Sequence, residues 1–339
     1  MTKNITFRTQ LIGGVSEFCH ATKLPILGNS LHLVELIVLL ARYQEEGTPL
    51  CPKVYITNSV DSLSSMLPGG EKFKIGSSTP DVAGIKTALK KCAPLATSDW
   101  MLYIQDGGKS IDYGVFKGES SPVSVFVDNI LLDKGVDTVV VKVCQIATDC
   151  VEIRCNNGEQ HYIFLNHRKE DSPPPLQYLD DLVKSLTVSC PEKIKDPTSS
   201  YLTKLIFEAL RQTHGCIIVV TDQKKIPEFL GSDGVTLDRP INFPELVEEI
   251  IATKADSASI DSKGVLLKGM LNSDGIVVFD NCGRLLGFNC FVKSEKNEEA
   301  VTGGARKRAF SALVKHIGVT LTAVFIQSQD GWSDFKGQN

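Results

Sequence analysis

The segment best suited to binding an anion has two glycines followed closely by three cations. Gly303 and Gly304 let the backbone approach a phosphate, and a helical pattern follows them directly. The N-terminus of that helix directs free N–H groups and a positive dipole end at the same place. Arg306 and Arg308 add forked donors matched to phosphate oxygens, and Lys307 adds a third cation. Three cations in a first turn oppose the helix dipole, and a bound phosphate would offset this unfavourable interaction. The pattern favours an anion site over the alternative, a capped helix with a solvated basic first turn.

A carboxylate precedes a short apolar segment earlier in the chain. Asp274 and Gly275 stand immediately before residues 276–279, which have the composition of a buried strand. A carboxylate at a strand edge can hold a divalent cation or accept a proton from a ribose hydroxyl. Asp-Gly is also a common turn pair, so these two residues alone do not decide between a site and a turn.

One glycine-rich segment imitates a phosphate-binding loop. Residues 107–110 read Gly-Gly-Lys-Ser, but Tyr103 stands where the loop requires its first glycine, and no helical pattern follows. We therefore predict a hairpin turn there.

The elements that must position the candidate residues follow from hydrophobic periodicity and turn residues. Residues 264–270 are compatible with either a strand or a helix. The other elements predicted beyond residue 170 are helices at 176–186, 199–213, 243–253 and 303–316, and strands at 216–220, 275–279, 285–292 and 320–326. Those predicted before it are helices at 29–46 and 80–91, a strand at 51–56, a hairpin of 100–105 with 111–116, and strands at 138–146, 149–155 and 161–166.

The chain length suggests two domains. At 339 residues the chain exceeds the usual size of one hydrophobic core. Residues 168–175 combine charge with three prolines and form the best linker candidate. We predict an α/β N-terminal domain over 1–167 and a C-terminal domain over 176–339 with a mixed central β-sheet flanked by helices.

Composition excludes several classes of function. A net charge of −4 provides no overall basic field for duplex nucleic acid or an acidic membrane. The longest apolar run, near residues 31–43, is too short for a membrane span. The ten cysteines show no Cys-x-x-Cys pair and no zinc-like spacing, so we expect buried, reduced thiols in a cytoplasmic protein without a structural metal. Cysteines 144, 150 and 155 are assigned to core packing.

Four segments in order resemble the motifs of diadenylate cyclase domains. That family has a His-Gly strand, an Asp-Gly-Ala motif, a Gly-Thr-Arg-His-Arg motif and a Ser-Glu-Glu-Thr-Gly-like strand end. The corresponding segments here are 213–220, 273–277, 303–309 and 327–331. Residues 36–47 also resemble the N-terminal part of a diadenylate-cyclase-like group proposed as nucleotide sensor domains.

The resemblance implies a role for each candidate residue. Asp274 would bind Mg²⁺ or Mn²⁺ near an attacking 3′-hydroxyl, with Gly275 as its glycine partner. Arg306 and Arg308 would hold the triphosphate of an adenine nucleotide beside the loop formed by the two preceding glycines. In active cyclases two such domains face each other and join two ATP molecules into cyclic di-AMP, which implies a homodimer.

The departures from the family pattern concern the catalytic groups. Ala305, Lys307 and Ile276 replace threonine, histidine and alanine, respectively. Ser328 and Gln329 replace the paired glutamates, which removes acidic groups that phosphoryl transfer uses with its metal. Loss of acids with retention of arginines favours binding over turnover.

These residues lead to three functional hypotheses. The first is a sensor that recognises an adenine nucleotide, either ATP or cyclic di-AMP, with an N-terminal domain that closes on it or transmits the signal. The second is an active diadenylate cyclase in which Asp274 and another acid, such as Asp330, complete a metal site. The third is an interaction protein with a decayed site that binds no nucleotide.

Overall fold

The chain forms two compact units. The computed structural model describes residues 7–22, 30–97, 99–118, 127–135, 137–147, 149–165, 175–230, 234–253, 257–292, 304–328 and 333–338. Described residues up to 165 belong to the first unit and those from 175 onward belong to the second. The predicted linker lies outside the described residues except for Pro175, which begins a helix.

Both units combine helices with a mixed sheet, so the predicted α/β class is confirmed. Among the described residues, no helix has the length and apolar character needed to cross a membrane.

The first unit is built on a seven-stranded sheet. Its helices are α1 (Phe7–Thr22), α2 (Ser30–Leu40), α3 (Val60–Ser65), α4 (Val82–Cys92) and α5 (Val127–Leu131). Its strands are β1 (Gln44–Glu45), β2 (Thr48–Pro49), β3 (Val54–Thr57), β4 (Glu71–Ser78), β5 (Met101–Asp106), β6 (Ile111–Lys117), β7 (Val140–Ala147), β8 (Cys150–Cys155) and β9 (Gln160–Phe164). The order in the sheet is β4-β6-β5-β3-β7-β8-β9, and β1 and β2 form a separate small hairpin.

The central strands of this sheet are buried on both faces, so their side chains alternate between two cores. On one face, Ile56 and Val143 pack with apolar residues of α1, α2 and α4. On the other face, Tyr55 and Phe116 pack with residues of α3 and α5.

Most elements predicted for this unit are present, with shifted ends. The hairpin of β5 and β6 is confirmed, and its turn is closed by the Gly107 amide, which donates to the Ser110 carbonyl over 2.8 Å. The helix predicted over 29–46 ends at Leu40 because the chain turns into β1 and β2, where Gly47 has φ of 82°. Strand β4 was not predicted, since its residues are mostly exposed and show no apolar alternation.

The second unit is built on a six-stranded sheet. Its helices are α6 (Pro175–Thr187), α7 (Glu192–Gln212), α8 (Phe243–Thr253), α9 (Ala258–Asn272) and α10 (Ala305–Val314). Its strands are β10 (Cys216–Thr221), β11 (Val235–Asn242), β12 (Ile276–Asp280), β13 (Arg284–Cys290), β14 (Ala323–Gln327) and β15 (Ser333–Gly337). The order is β11-β13-β12-β10-β14-β15, with β10 parallel to β12 and the other neighbours antiparallel.

Helices cover both faces of this sheet. Ile218 and Phe279 face the core formed with α6, α7, α8 and α9, whereas Ile217 and Val278 face the core formed with α10. The unit is therefore a three-layer sandwich, and on its second face α10 packs beside a short 3-10 helix, Glu228–Leu230.

The sequence predicted the central strands of this unit better than its edges. The strand at 216–220 and the helix at 243–253 are confirmed, and the ambiguous residues 264–270 lie within α9. Helix α7 begins at Glu192, earlier than predicted, and includes Pro197. Edge strand β11 was not predicted because most of its residues are exposed and show no apolar alternation, and β15 was not predicted because Phe335 is its one large apolar residue.

Candidate functional site

The candidate site lies at one end of the central strands of the second sheet, where β10 and β12 begin. The two strands are parallel, with Ile217 beside Ile276, so the residues that precede them lie at the same edge. His214 stands two positions before β10, and Asp274 stands two positions before β12. Strand pairing therefore brings together two motifs that are far apart in the chain.

Gly275 has a conformation that a side chain would oppose. Its φ is +97°, and a Cβ placed there would lie 2.7 Å from the Cα of Asn289 on β13. Both facts require glycine between the exposed Asp274 and the buried strand β12. The glycine of the Asp-Gly pair thus fixes the entry of β12 while leaving the carboxylate in solvent.

The first turn of α10 carries three basic residues and no acidic one. Gly304 is the N-cap residue, makes no side-chain capping hydrogen bond, and is followed by a first turn without acidic residues. Phe310 and Leu313 bury one face of the helix against the sheet. Arg306 lies four and seven positions before them, on the same face, and is therefore directed at the sheet edge.

Arg306 contacts both segments that precede these strands, the one before β10 and the one before β12. Its Nη2 lies 3.5 Å from Oδ1 of Asp274, and its Nη1 donates a hydrogen bond of 3.0 Å to the carbonyl oxygen of His214. The side chain of Asp274 is 87% exposed and that of Arg306 is 36% exposed. An ion pair this exposed contributes at most about 1 kcal/mol to stability, so a ligand can compete for either partner.

The field of Arg306 also reaches the first residue of β10. Burial raises the pKa of the Cys216 thiol to about 12, and the guanidinium charge of Arg306 acts against that rise. Cys216 itself is a buried thiol of the core and not an accessible nucleophile.

The remaining candidate residues of α10 lie on other sides of its first turn. A helix turns by about 100° per residue, so Arg308 projects about 200° away from Arg306. Lys307 and Arg308 are both exposed, and a Cβ at Gly304 would meet nothing within 4 Å. Gly303 lies outside the described residues. Of the residues selected from the sequence, the structure brings Arg306 and Asp274 into contact, and it places Lys307 and Arg308 at exposed positions on other sides of the same turn.

The fourth motif begins at the same end of the sheet, with Gln327. Gln327, the last residue of β14, pairs with Cys216, and its Nε2 donates to the Leu210 carbonyl over 2.8 Å. Its Oε1 is buried and has no hydrogen-bond partner within the part of the chain that the structure describes. Gln329 and Asp330 lie outside the described residues.

Asp274 is the residue of this site that could contact a metal ion. No group of three or more His, Cys, Asp or Glu side chains within the described ranges is placed to hold a metal ion. Asp274 supplies one carboxylate, and Mg²⁺ is commonly held by one or two carboxylates together with substrate phosphates. Asp274 could therefore contact a divalent cation whose other ligands are phosphate oxygens and water.

Sequence reasoning missed a second polar cluster, in the first unit. Lys142 of β7 has only 4% of its side chain exposed and forms ion pairs with Asp128 of α5 and, over 2.7 Å, with Glu152 of β8. The hydroxyl of Tyr55 donates to the other oxygen of Asp128. Gln160 donates to the second oxygen of Glu152 over 2.6 Å. The cluster links α5 to four strands of the sheet, β3, β7, β8 and β9.

The charges in this cluster hold one another ionised. Burial alone would lower the pKa of Lys142, but the neighbouring acids, Asp128 first, hold it well above its usual value. Burial alone would raise the pKa of Asp128, but Lys142, Lys53 and the hydrogen bond from Tyr55 hold it well below. Burial and the charge of Asp128 raise the pKa of Tyr55. A lysine inside an otherwise apolar strand pattern is the signal that could have predicted a buried partner.

Comparison with known proteins gives no assignment, because neither a protein-family model nor a curated protein matches the chain. Fold and site together define an α/β protein whose second unit carries a cationic helix start beside an exposed carboxylate. The resemblance to diadenylate cyclase domains stays a hypothesis drawn from four short motifs.

Proposed function

We propose that the second unit is a nucleotide-binding sensor domain that recognises an adenine nucleotide, with ATP and cyclic di-AMP as the two candidates. The observation that carries the proposal is the 3.5 Å approach of Arg306 to Asp274 at the exposed start of α10. A guanidinium and the first-turn amides of a helix together bind phosphate oxygens well.

The ligand would exchange with contacts that already exist. Phosphate oxygens would replace the exposed carboxylate of Asp274 as partners of Arg306, since both are anionic acceptors of the same forked donor. Asp274 would then be released to contact a divalent cation or a ribose hydroxyl. Lys307 and Arg308 would also attract the anionic ligand from the exposed side of the turn. That attraction would be weak, because water and salt screen exposed charges.

Binding is tested by calorimetry and thermal shift with ATP, GTP and cyclic di-AMP, each with and without Mg²⁺. A ligand at one hundred times its dissociation constant should stabilise the protein by about 2.7 kcal/mol. Arg306→Ala should weaken binding at least tenfold, because it removes a charge-assisted contact. Arg239→Ala is the matched control, since Arg239 is an exposed arginine on edge strand β11 of the same unit.

The result that rejects the proposal is the absence of binding by the native chain to every adenine nucleotide tested. That outcome would favour the third hypothesis, an interaction protein without a nucleotide site.

An active diadenylate cyclase is the second candidate, favoured by the exposure of Asp274 to any incoming metal. Against it, Ser328 stands where the resembled family has a glutamate, so fewer acids are available to hold the metal. Incubation with ATP and Mn²⁺ distinguishes the two: cyclic di-AMP that accumulates with the native chain but not with Asp274→Asn identifies a cyclase. Asp238→Asn, an exposed aspartate of β11, is the matched control.

A further inference from the structure

Two turns of the second unit run side by side at the end of the sheet opposite the candidate site. One joins α6 to α7, and the other is the tight turn between β12 and β13. The amide of Ser189 in the first donates to the carbonyl of Asn281 in the second over 2.9 Å. This hydrogen bond holds the two backbones at the spacing of neighbouring strands.

The residue after each of these partners is a cysteine, and each thiol reaches the opposite turn. The Sγ of Cys190 lies 3.3 Å from the carbonyl oxygen of Cys282, and the Sγ of Cys282 lies 3.5 Å from that of Ser189. Both cysteines are reduced. Each thiol thus reaches the backbone of the turn that carries the other, and a disulfide between them requires the two side chains to rotate toward each other.

The two thiols differ in access. Cys282 is partly exposed on its turn, whereas Cys190 is buried. Burial, followed by the charge that Cys282 would carry, raises the pKa of Cys190 to about 11. A reagent from solution therefore reacts with Cys282 first. Cys190 is then placed to react with the modified Cys282 side chain.

We propose that Cys282 and Cys190 form a thiol-modification site, in which Cys282 is thiolated by a small disulfide such as oxidised glutathione and Cys190 resolves the adduct into an intramolecular disulfide.

The exchange balances in two steps. The thiolate of Cys282 attacks one sulfur of the small disulfide, whose S–S bond breaks and whose other half leaves as a thiol with the proton from Cys282. The thiolate of Cys190 then attacks Sγ of Cys282, forming the protein disulfide and releasing the second small thiol with the proton from Cys190. Two cysteine thiols are oxidised and one small disulfide is reduced to two thiols.

The product would link the segment before α7 to the turn after β12. Asp274 and Gly275 precede the opposite end of β12. The modification does not depend on nucleotide binding. The cross-link closes a long loop, which restricts the unfolded chain and raises the melting temperature.

The test uses the native full chain incubated with oxidised glutathione at about pH 8.5, where the thiolate fraction of each cysteine, small because burial raises the pKa of both thiols, exceeds that at neutral pH. The protein is then denatured without reductant, its remaining thiols are alkylated, and the products are counted by mass spectrometry. We expect two fewer alkylated thiols than the ten of the untreated chain, a cross-linked peptide pair containing Cys190 and Cys282, and a melting temperature that falls back on reduction.

Single variants separate the two roles. Cys190→Ser should stop at one glutathione adduct on Cys282, and Cys282→Ser should carry neither an adduct at Cys190 nor a cross-link. Cys155→Ser, which removes a buried thiol of the first unit, should form the same disulfide as the native chain. The proposal is overturned if the native chain retains ten alkylatable thiols, if a different pair is linked, or if Cys190 acquires the adduct in Cys282→Ser.

Discussion

The guanidinium group of Arg306 lies 3.5 Å from the carboxylate of Asp274, although one begins a helix on the face of a sheet and the other precedes a strand within it. Both side chains are accessible to solvent, so the pair is available to ligands and is not part of the core. This combination of proximity and exposure distinguishes it from the buried ion pairs of the first unit.

Removal of Arg306 should therefore have little effect on the stability of the unliganded protein. We expect Arg306→Ala to change the free energy of unfolding by less than about 1 kcal/mol, since exposed ion pairs contribute little and water can replace the hydrogen bond to the His214 carbonyl. Urea unfolding followed by circular dichroism measures this. A loss of several kcal/mol would indicate that Arg306 is a structural residue and would leave its role in binding unsupported.

Gly275→Ala should destabilise the second unit. The positive φ and the 2.7 Å approach to Asn289 require a local backbone shift, for which we expect a cost of about 1–3 kcal/mol. The same shift would move Asp274 and weaken the nucleotide binding that we propose. Thermal unfolding and calorimetry of the variant provide both measurements.

Gly269→Ala is the matched control for that substitution. A Cβ at Gly269 meets nothing within 4 Å, and the residue lies inside α9, so the change should stabilise the protein by up to about 1 kcal/mol. Equal effects of the two substitutions would contradict the argument for Gly275.

Lys142→Met should destabilise the first unit strongly. The change leaves Asp128 and Glu152 without their shared cation, and loss of one partner of a buried pair costs about 3–5 kcal/mol. Lys74→Met removes an ion pair from an exposed lysine and should cost less than about 1 kcal/mol. Urea unfolding midpoints of the two variants measure the difference.

A compensated variant separates charge from packing. Adding Asp128→Asn and Glu152→Gln to Lys142→Met removes the unpaired buried charges and should restore part of the lost stability. No recovery would show that Lys142 acts through the packing of its methylene groups.

Acid should weaken the first unit through Asp128. The pKa of this carboxyl is held below its usual value in the folded state, so the folded protein binds fewer protons than the unfolded chain between the two values. The resulting stability is present above about pH 4 and is lost as the pH falls toward the folded-state pKa. The free energy of unfolding, measured from pH 7 down to about pH 3, should fall less steeply for Asp128→Asn. Identical slopes would assign the acid sensitivity to other carboxyls.

The sequence by itself determined the α/β class, the central buried strands and the chemical types of the candidate residues. Strands such as β10 and β12 were predictable because a strand covered on both faces is a continuous apolar run, which is a local property of the chain. The glycine pair and the cations that follow it in the first turn of α10 were likewise visible as a local pattern. The edge strands β4 and β11 were not, because their exposed residues carry no such signal.

Only the tertiary structure decided which of those residues meet. The pairing of β10 with β12 places His214 and Asp274 at the same end of the sheet, and the packing of α10 directs Arg306, and not Arg308, toward both. The Lys142 cluster and the approach of Cys190 to Cys282 arise in the same way. These contacts depend on strand pairing and helix packing between distant parts of the chain, whereas hydrophobic periodicity reports only which face of each element is buried.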